Sequence, residues 1–293
     1  MKLGQSDIEV GKISFGCWRF AKHDAPTADK LIRTALDAGM NLIDTADIYG
    51  LGDFREREDG GFGQAEVRLG EVLTAAPSLR KQIILATKGG IDAVRPYDGS
   101  YGYLMNAIDK SLARLKTNYV DLYQIHRPDL TTPWAETARA LNEMVASGKT
   151  RAIGVSNFTA AQTRALQAHL DQPIATLQPE FSALEQNPLT EGLLDYAQEI
   201  GAAVLAWSPL AGGRVPTETG PVQTALDEIA TRYGISRSVA ALAFTRGFGA
   251  SVIPIVGTQN PDRIRESGYA AQVNLTGREI YDIIEALRGE AMP

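Results

Sequence analysis

Eight short β-branched or apolar runs alternate along the whole chain with longer segments of helical period, and this alternation limits the fold more than any other feature. The runs are Lys12–Gly16, Asn41–Asp44, Gln82–Thr87, Tyr119–Ile125, Arg151–Val155, Ile174–Gln178, Ala202–Ala206 and Ser251–Val256. Between them, Tyr101–Lys116 sets Leu104, Ile108, Leu112 and Leu115 on one stripe, and Asp29–Ala38 turns Leu31, Ile32, Ala35 and Leu36 to one side. Gly39, Gly148 and Gly201 each stand just past a helical pattern and before a run, where a left-handed helix stop is expected.

Strand and helix alternating eight times predicts an α/β fold, a (β/α)8 TIM barrel, rather than two doubly wound halves. No Pro/Ser-rich linker, repeat or composition shift divides the chain, so residues 1–293 are read as a single barrel domain. Extra C-terminal helices are expected at Val222–Tyr233, Ser236–Arg246 and Thr276–Arg288, and Gly50–Gln64, charged and Gly-rich, reads as a long surface loop. With 44% apolar and 7% aromatic residues over 293 positions there is ample material for such a core.

Charge and cysteine usage narrow the partners. The 29 Lys and Arg against 35 Asp and Glu leave a net charge of −6 with no basic patch, so nucleic acid and anionic membrane are poor partners. Asp7 and Glu9 stand where a signal peptide needs an apolar run, and Ile200–Gly213 is too short to span a bilayer, which predicts a cytoplasmic protein. One cysteine, Cys17, and three histidines predict neither a disulfide nor a bound metal.

In a barrel of this kind, chemistry sits at the C-terminal ends of the strands. There the sequence places Asp44, Lys88, His126, Ser156, Asn157, Gln178, Trp207 and Ser208, with Tyr49 five residues past Asp44. Brought together, Lys88 would lower the proton affinity of the Tyr49 phenol, Asp44 would hold Lys88 charged, and a neutral His126 would orient a substrate oxygen. Such a set donates a proton to a carbonyl and lacks only a source of hydride. Singly, each residue has a plainer reading: a helix cap for Asp44, a packed loop aromatic for Tyr49, a solvated charge for Lys88, a buried structural histidine for His126. Other chemistries use the same residues, with Lys88 as a Schiff-base nucleophile of a barrel aldolase or Asp44, Asp47 and His126 as a metal hydrolase site.

Nine segments, FGCWRF, NLIDTADIYG, AEVRLGEVL, ILATKGG, DLYQIHRPD, GKTRAIGVSNF, LQPEFSALE, LAWSPLAGGR and IPIVGTQNPDRIRES, follow one another in an order that resembles the aldo-keto reductases. The resemblance covers nearly the whole chain. It implies carbonyl reduction by hydride from a nicotinamide cofactor, NADPH with NADH less favoured, and Asp44, Tyr49, Lys88 and His126 as the catalytic four, Tyr49 being the general acid. Consistently, no G-x-G-x-x-G follows a strand. Trp207 would stack on the nicotinamide, Ser156, Asn157 and Gln178 would hold its carboxamide, and Gly16, Cys17, Trp18 and Asp44 would border it. Ser208, Pro209, Leu210, Gly212, Gly213 and Arg214 would contact the pyrophosphate. Gly257, Thr258, Gln259 and Arg263 would take the adenosine phosphate, with Glu266 and Ser267 near the adenine. Many NADPH-preferring relatives add a cation at or next to Gln259 and an amide at Ser267; this chain has neither, which predicts a weaker preference for NADPH. Substrate contacts fall to Trp18, Tyr49, His126 and Arg127 beside the Gly50–Gln64 loop, a solvated tip or a lid. A small-molecule carbonyl is the expected partner of a monomer or weak homo-oligomer, and a cofactor-binding sensor on the same scaffold is the alternative to an enzyme.

Overall fold

The computed structural model describes residues 1–50, 62–92 and 94–293. Eight parallel strands close into a barrel in chain order, each paired with its sequence neighbours and the last with the first. They are β1 (Ser14–Gly16), β2 (Leu42–Asp44), β3 (Ile84–Gly89), β4 (Val120–Ile125), β5 (Thr150–Ser156), β6 (Thr176–Gln178), β7 (Ala203–Ala206) and β8 (Val252–Val256). Register pairs Gly16 with Asp44, Asp44 with Ala86, Lys88 with Gln124, and Ser156 with Gln178, so the rim residues are levelled against one another by the ladders.

Strand periodicity divides the side chains into two layers. One set, including Phe15, Ile43, Leu85, Tyr123, Ile153 and Val204, packs outward against the helices. The other faces the barrel interior, where Leu42, Ala86, Leu122, Ala152, Ala203, Leu205, Ile253 and Ile255 form an apolar cluster with Leu3, Ile8 and Val10. Those last three belong to an N-terminal hairpin bridged at Lys2 and Glu9 that plugs the lower mouth. Gly4 lets the plug seat: its φ is +58°, and a Cβ there would lie 2.3 Å from the Ala175 carbonyl oxygen. Higher on the inward faces, the apolar layer gives way to Asp44, Lys88, Gln124, Ser156 and Gln178, all buried. The barrel interior is apolar below and polar above.

The expected helices are present, with ends set by capping. The helix expected from Asp29 starts at Ala25, because Asp24 accepts from the Thr27 amide at 2.9 Å and Pro26 fits a first turn. Gly39, Gly148 and Gly201 have φ of +80°, +73° and +62°, the left-handed stops expected of them. The added C-terminal helices cover Pro221–Tyr233, Arg237–Arg246 and Gly277–Arg288; the last opens on a capping box between Thr276 and Glu279, whose carboxylate also takes Arg232 at 2.5 Å. Strand β3 runs two residues beyond the expected Thr87, which puts Lys88 within the strand. Of the loop expected over Gly50–Gln64, residues 51–61 lie outside the described residues. Among the described residues no helix is long and apolar enough to cross a membrane.

Candidate active site

Lys88 is the centre of the upper rim. Its side chain is wholly buried, and its Nζ donates to Asp44 Oδ2 at 2.6 Å, to the Thr45 carbonyl at 2.8 Å and to Tyr49 Oη at 3.3 Å. Three acceptors match the three ammonium protons. The second Asp44 oxygen accepts from Gln178 Nε2 at 3.1 Å, so the carboxylate is fixed from two strands. The His126 ring meets Tyr49 edge-on, centroids 5.8 Å apart. The four residues proposed from sequence thus converge, though they are 82 positions apart from first to last.

Their protonation follows from this packing. Burial alone would drive the proton off Lys88, but the charge of Asp44, then Tyr49, outweighs it and raises the ammonium above its ordinary value. Burial pushes the Tyr49 phenol up, and the nearby ammonium offsets only part of that rise, while Asp44 adds to it. Here the structure departs from the sequence expectation of a lowered phenol: Lys88 acts with the expected sign, but desolvation of the tyrosine is larger. Tyr49 therefore keeps its proton at neutral pH. Burial, with Lys88 and Arg127, lowers His126 well below the ordinary imidazole value, and its Nδ1 has no partner among the described residues. The imidazole is neutral at neutral pH.

A second set of side chains borders this centre. Trp207 donates its indole N–H to Asn157 Oδ1 at 3.0 Å, and Asn157 Nδ2 donates to Ser156 Oγ at 2.9 Å and to the His126 carbonyl at 3.2 Å. Ser156 Oγ in turn donates to the Gln178 carbonyl at 3.0 Å. The indole plane is thereby tied to the strand ends that carry His126 and Gln178. Asn157, Ser208 and Ala211 have positive φ of 59°, 50° and 50°, and Gly212 and Gly213 continue the left-handed turn at 68° and 103°. Non-glycine residues in that region cost on the order of 1 kcal/mol each and concentrate at ligand sites. Leu210 and Pro209 lie in this turn, and Arg214 just after it pairs with Glu218 at 3.1 Å on the surface.

On the β1 and β8 side, Cys17 is buried and its amide donates to the Asp44 carbonyl at 2.8 Å; burial pushes the thiol well up, so it is no nucleophile. Trp18 is 56% exposed, with the Arg19 guanidinium 4.6 Å above its ring. Arg19, which the sequence reading passed over although it stands within FGCWRF, donates to the Gly257 carbonyl at 3.0 Å and ties β1 to the turn after β8. In that turn Thr258 precedes Gln259, whose Nε2 donates to the Gly257 carbonyl while its buried Oε1 has no partner among the described residues. Asn260 then caps the helix Pro261–Tyr269, accepting from Asp262 and Arg263 amides at 2.8 and 3.2 Å. Arg263 and Glu266 lie on this helix, and Ser267, buried, spends its hydroxyl on the Arg263 carbonyl.

A fixed indole, an amide-rich wall, a left-handed turn of small residues and a capped helix start beside an exposed arginine suit a flat heteroaromatic amide joined to phosphates. Among the described residues no cluster of three metal-ligating side chains occurs. Arg127, half-buried, directly follows His126, and its charge bears on that imidazole.

A sequence profile of the aldo/keto reductase family matches residues 12–288. A 6-dehydroglucose reductase of Novosphingobium aromaticivorans is 47% identical, the alignment covering all of this chain and 96% of the relative. A second 6-dehydroglucose reductase, from Agrobacterium fabrum, is 34% identical over 96% of each chain. Among solved structures, a thermostable aldo-keto reductase, Tm1743, in complex with the inhibitor epalrestat superposes with a TM-score of 0.81 at 26% identity, covering 97% of both chains.

Proposed function

The chain belongs to the aldo/keto reductase family, and from that premise we propose that it reduces an aldehyde or ketone to the alcohol, with NADPH as hydride donor and Tyr49 as proton donor. Bound at the Trp207 wall, the nicotinamide would supply a hydride to the carbonyl carbon. The observation that carries the reading is the chain of contacts Asp44, Lys88, Tyr49, which holds a protonated phenol beside an ammonium at 3.3 Å.

Each residue has a task that its surroundings suit. Tyr49 Oη gives its proton to the substrate oxygen as negative charge develops there, and Lys88 steadies the phenolate left behind. Asp44 keeps Lys88 charged and in place. Neutral His126 donates a hydrogen bond to the same oxygen and fixes the carbonyl plane. Asn157, Ser156 and Gln178 orient the carboxamide, while the turn Ser208–Arg214 and the helix start at Asn260 with Arg263 take the phosphates. Trp18 and Arg127 flank the open side, where the rest of the substrate lies.

The two relatives are named for a sugar aldehyde, and a polyhydroxylated aldehyde suits a rim bearing Arg127 and the indole of Trp18. We therefore take 6-dehydroglucose as the first substrate to test. Purified protein, NADPH and 6-dehydroglucose should give loss of nicotinamide absorbance and glucose as product. Absence of turnover over a broad aldehyde panel, with NADPH still quenching tryptophan fluorescence, would overturn the reading in favour of a cofactor-binding sensor.

A further inference from the structure

We propose that Glu66 is a positioning residue for the proton donor, setting the separation of Tyr49 from Lys88 through a buried clamp that joins the two segments carrying them. The inference rests on the reaction proposed above. Glu66 is fully buried at the third position of the helix Gln64–Ala75. Its Oε1 accepts from Thr87 Oγ1 at 2.6 Å, and its Oε2 accepts from Arg114 Nε at 2.7 Å. Thr87 immediately precedes Lys88 in β3. One residue before Glu66, the Ala65 amide donates to the Tyr49 carbonyl at 3.0 Å. A short helix start thus grips the backbone of the acid on one side and the strand of its ammonium partner on the other.

The surroundings fit a built device rather than a solvated charge. A carboxylate on the first helical turn ordinarily faces water. Here the Arg114 guanidinium reaches Glu66 by lying across Gly63, where a Cβ would come 2.1 Å from Arg114 Nε. Asp47, also buried, has its amide on the Lys88 carbonyl at 3.0 Å, and burial followed by the Glu66 charge drives its carboxyl well above the usual range. Burial and the nearby Glu66 thus favour the neutral form of Asp47, while Arg114 pairs with Glu66 at 2.7 Å.

If the clamp opens, Lys88 acts on the phenol from farther away and the phenol rises. Among the described residues the titratable groups facing Tyr49 are Lys88, Asp44, Cys17 and His126, and none of these is changed in the test. The test compares Thr87→Val, Thr87→Ser and Glu66→Gln in the oxidation of the product alcohol, whose rate grows with pH as Tyr49 loses its proton. Thr87→Val and Glu66→Gln should move that acidic limb upward by about half to one pH unit and lower kcat about tenfold, with KM for the cofactor within about twofold. Thr87→Ser, which restores the hydroxyl, should return the limb to the wild-type position. An unmoved limb in either folded variant, or Thr87→Ser behaving as Thr87→Val, would overturn the inference. Failure of both Thr87→Val and Glu66→Gln to fold would do so too, since Glu66 would then act on stability alone. Wild-type turnover and its loss in Tyr49→Phe report separately on the reaction, so the two readings fail in distinguishable ways.

Discussion

Asp44 and Lys88 form an ion pair of 2.6 Å with both side chains buried, Lys88 completely. Water cannot replace either partner. Breaking such a pair from one side leaves an uncompensated buried charge, worth about 3–5 kcal/mol. Asp44→Asn should therefore lower stability by about 3 kcal/mol, and Lys88→Met added to it should recover much of the loss, because the stranded ammonium is gone. Urea denaturation midpoints of the wild type and the two variants check this; equal midpoints for wild type and Asp44→Asn would show that the pair contributes nothing to the fold.

Tyr49→Phe keeps the ring that His126 meets edge-on and removes only the hydroxyl. Loss of a positioned general acid costs about 10²–10⁴-fold. Turnover should fall by that factor, while cofactor affinity, which the proposed reaction assigns to Trp207, Asn157 and the Arg263 helix, stays within a factor of two. Steady-state rates and fluorescence titration measure the two separately. A mutant that reduces aldehydes at the wild-type rate would rule out Tyr49 as proton donor.

Some of this was legible in the sequence and some was not, for physical reasons. Strand alternation fixed the barrel, and once the barrel was assumed, position at a strand end was enough to gather Asp44, Lys88, His126, Asn157, Gln178 and Trp207 on one rim. The left-handed glycines were readable because only glycine adopts that backbone freely, whereas Ser208 and Ala211 take it without any local signal and Asn157 with only the modest bias of asparagine. The sign of the Tyr49 shift was not readable, because desolvation depends on how closely the barrel packs around the ring. Glu66 was overlooked for a related reason. A glutamate on the first turn of a helix looks like a solvated charge, and only the tertiary meeting with Thr87 and Arg114 reveals it as buried. Arg19 carried a usable signal, its place inside FGCWRF, yet its bond to Gly257 joins residues 238 apart.

Asp129 closes the loop that follows His126 and Arg127. Its carboxylate accepts from the Gly99 amide, the Thr131 amide and hydroxyl, the Thr132 hydroxyl and Arg95 Nη2, all within 2.9 Å. Burial alone would raise this carboxyl, but the donors outweigh it and hold it well below its ordinary value. A depressed folded value means stability present above the unfolded pKa and lost as pH falls through the folded one. Asp129→Asn should cost about 1.5–3 kcal/mol at neutral pH. The gap to wild type should begin to narrow near about pH 4, where the unfolded carboxyl protonates, and keep shrinking as pH falls toward the folded value. Thermal melts of both proteins across that range test the sign, and a gap that widened towards acid would contradict it.

In the proposed reaction, Arg263 is the cation that would choose between the two nicotinamide cofactors. Arg214 is occupied by Glu218 at 3.1 Å and Arg265 by Asp262 at 2.8 Å, whereas Arg263 is exposed beside the capped helix start with no ion-pair partner among the described residues. The extra phosphate of NADPH would meet this one guanidinium and the helix amides, and no second cation stands at or next to Gln259. A single charge-assisted contact is worth about 1.5–3 kcal/mol before solvent screening reduces it at an exposed site. Arg263→Ala should therefore raise KM for NADPH about tenfold and leave KM for NADH within twofold, and added salt should shrink the difference. If kcat/KM for the two cofactors were comparable in the wild type and unchanged in Arg263→Ala, this helix would have no part in reading the phosphate.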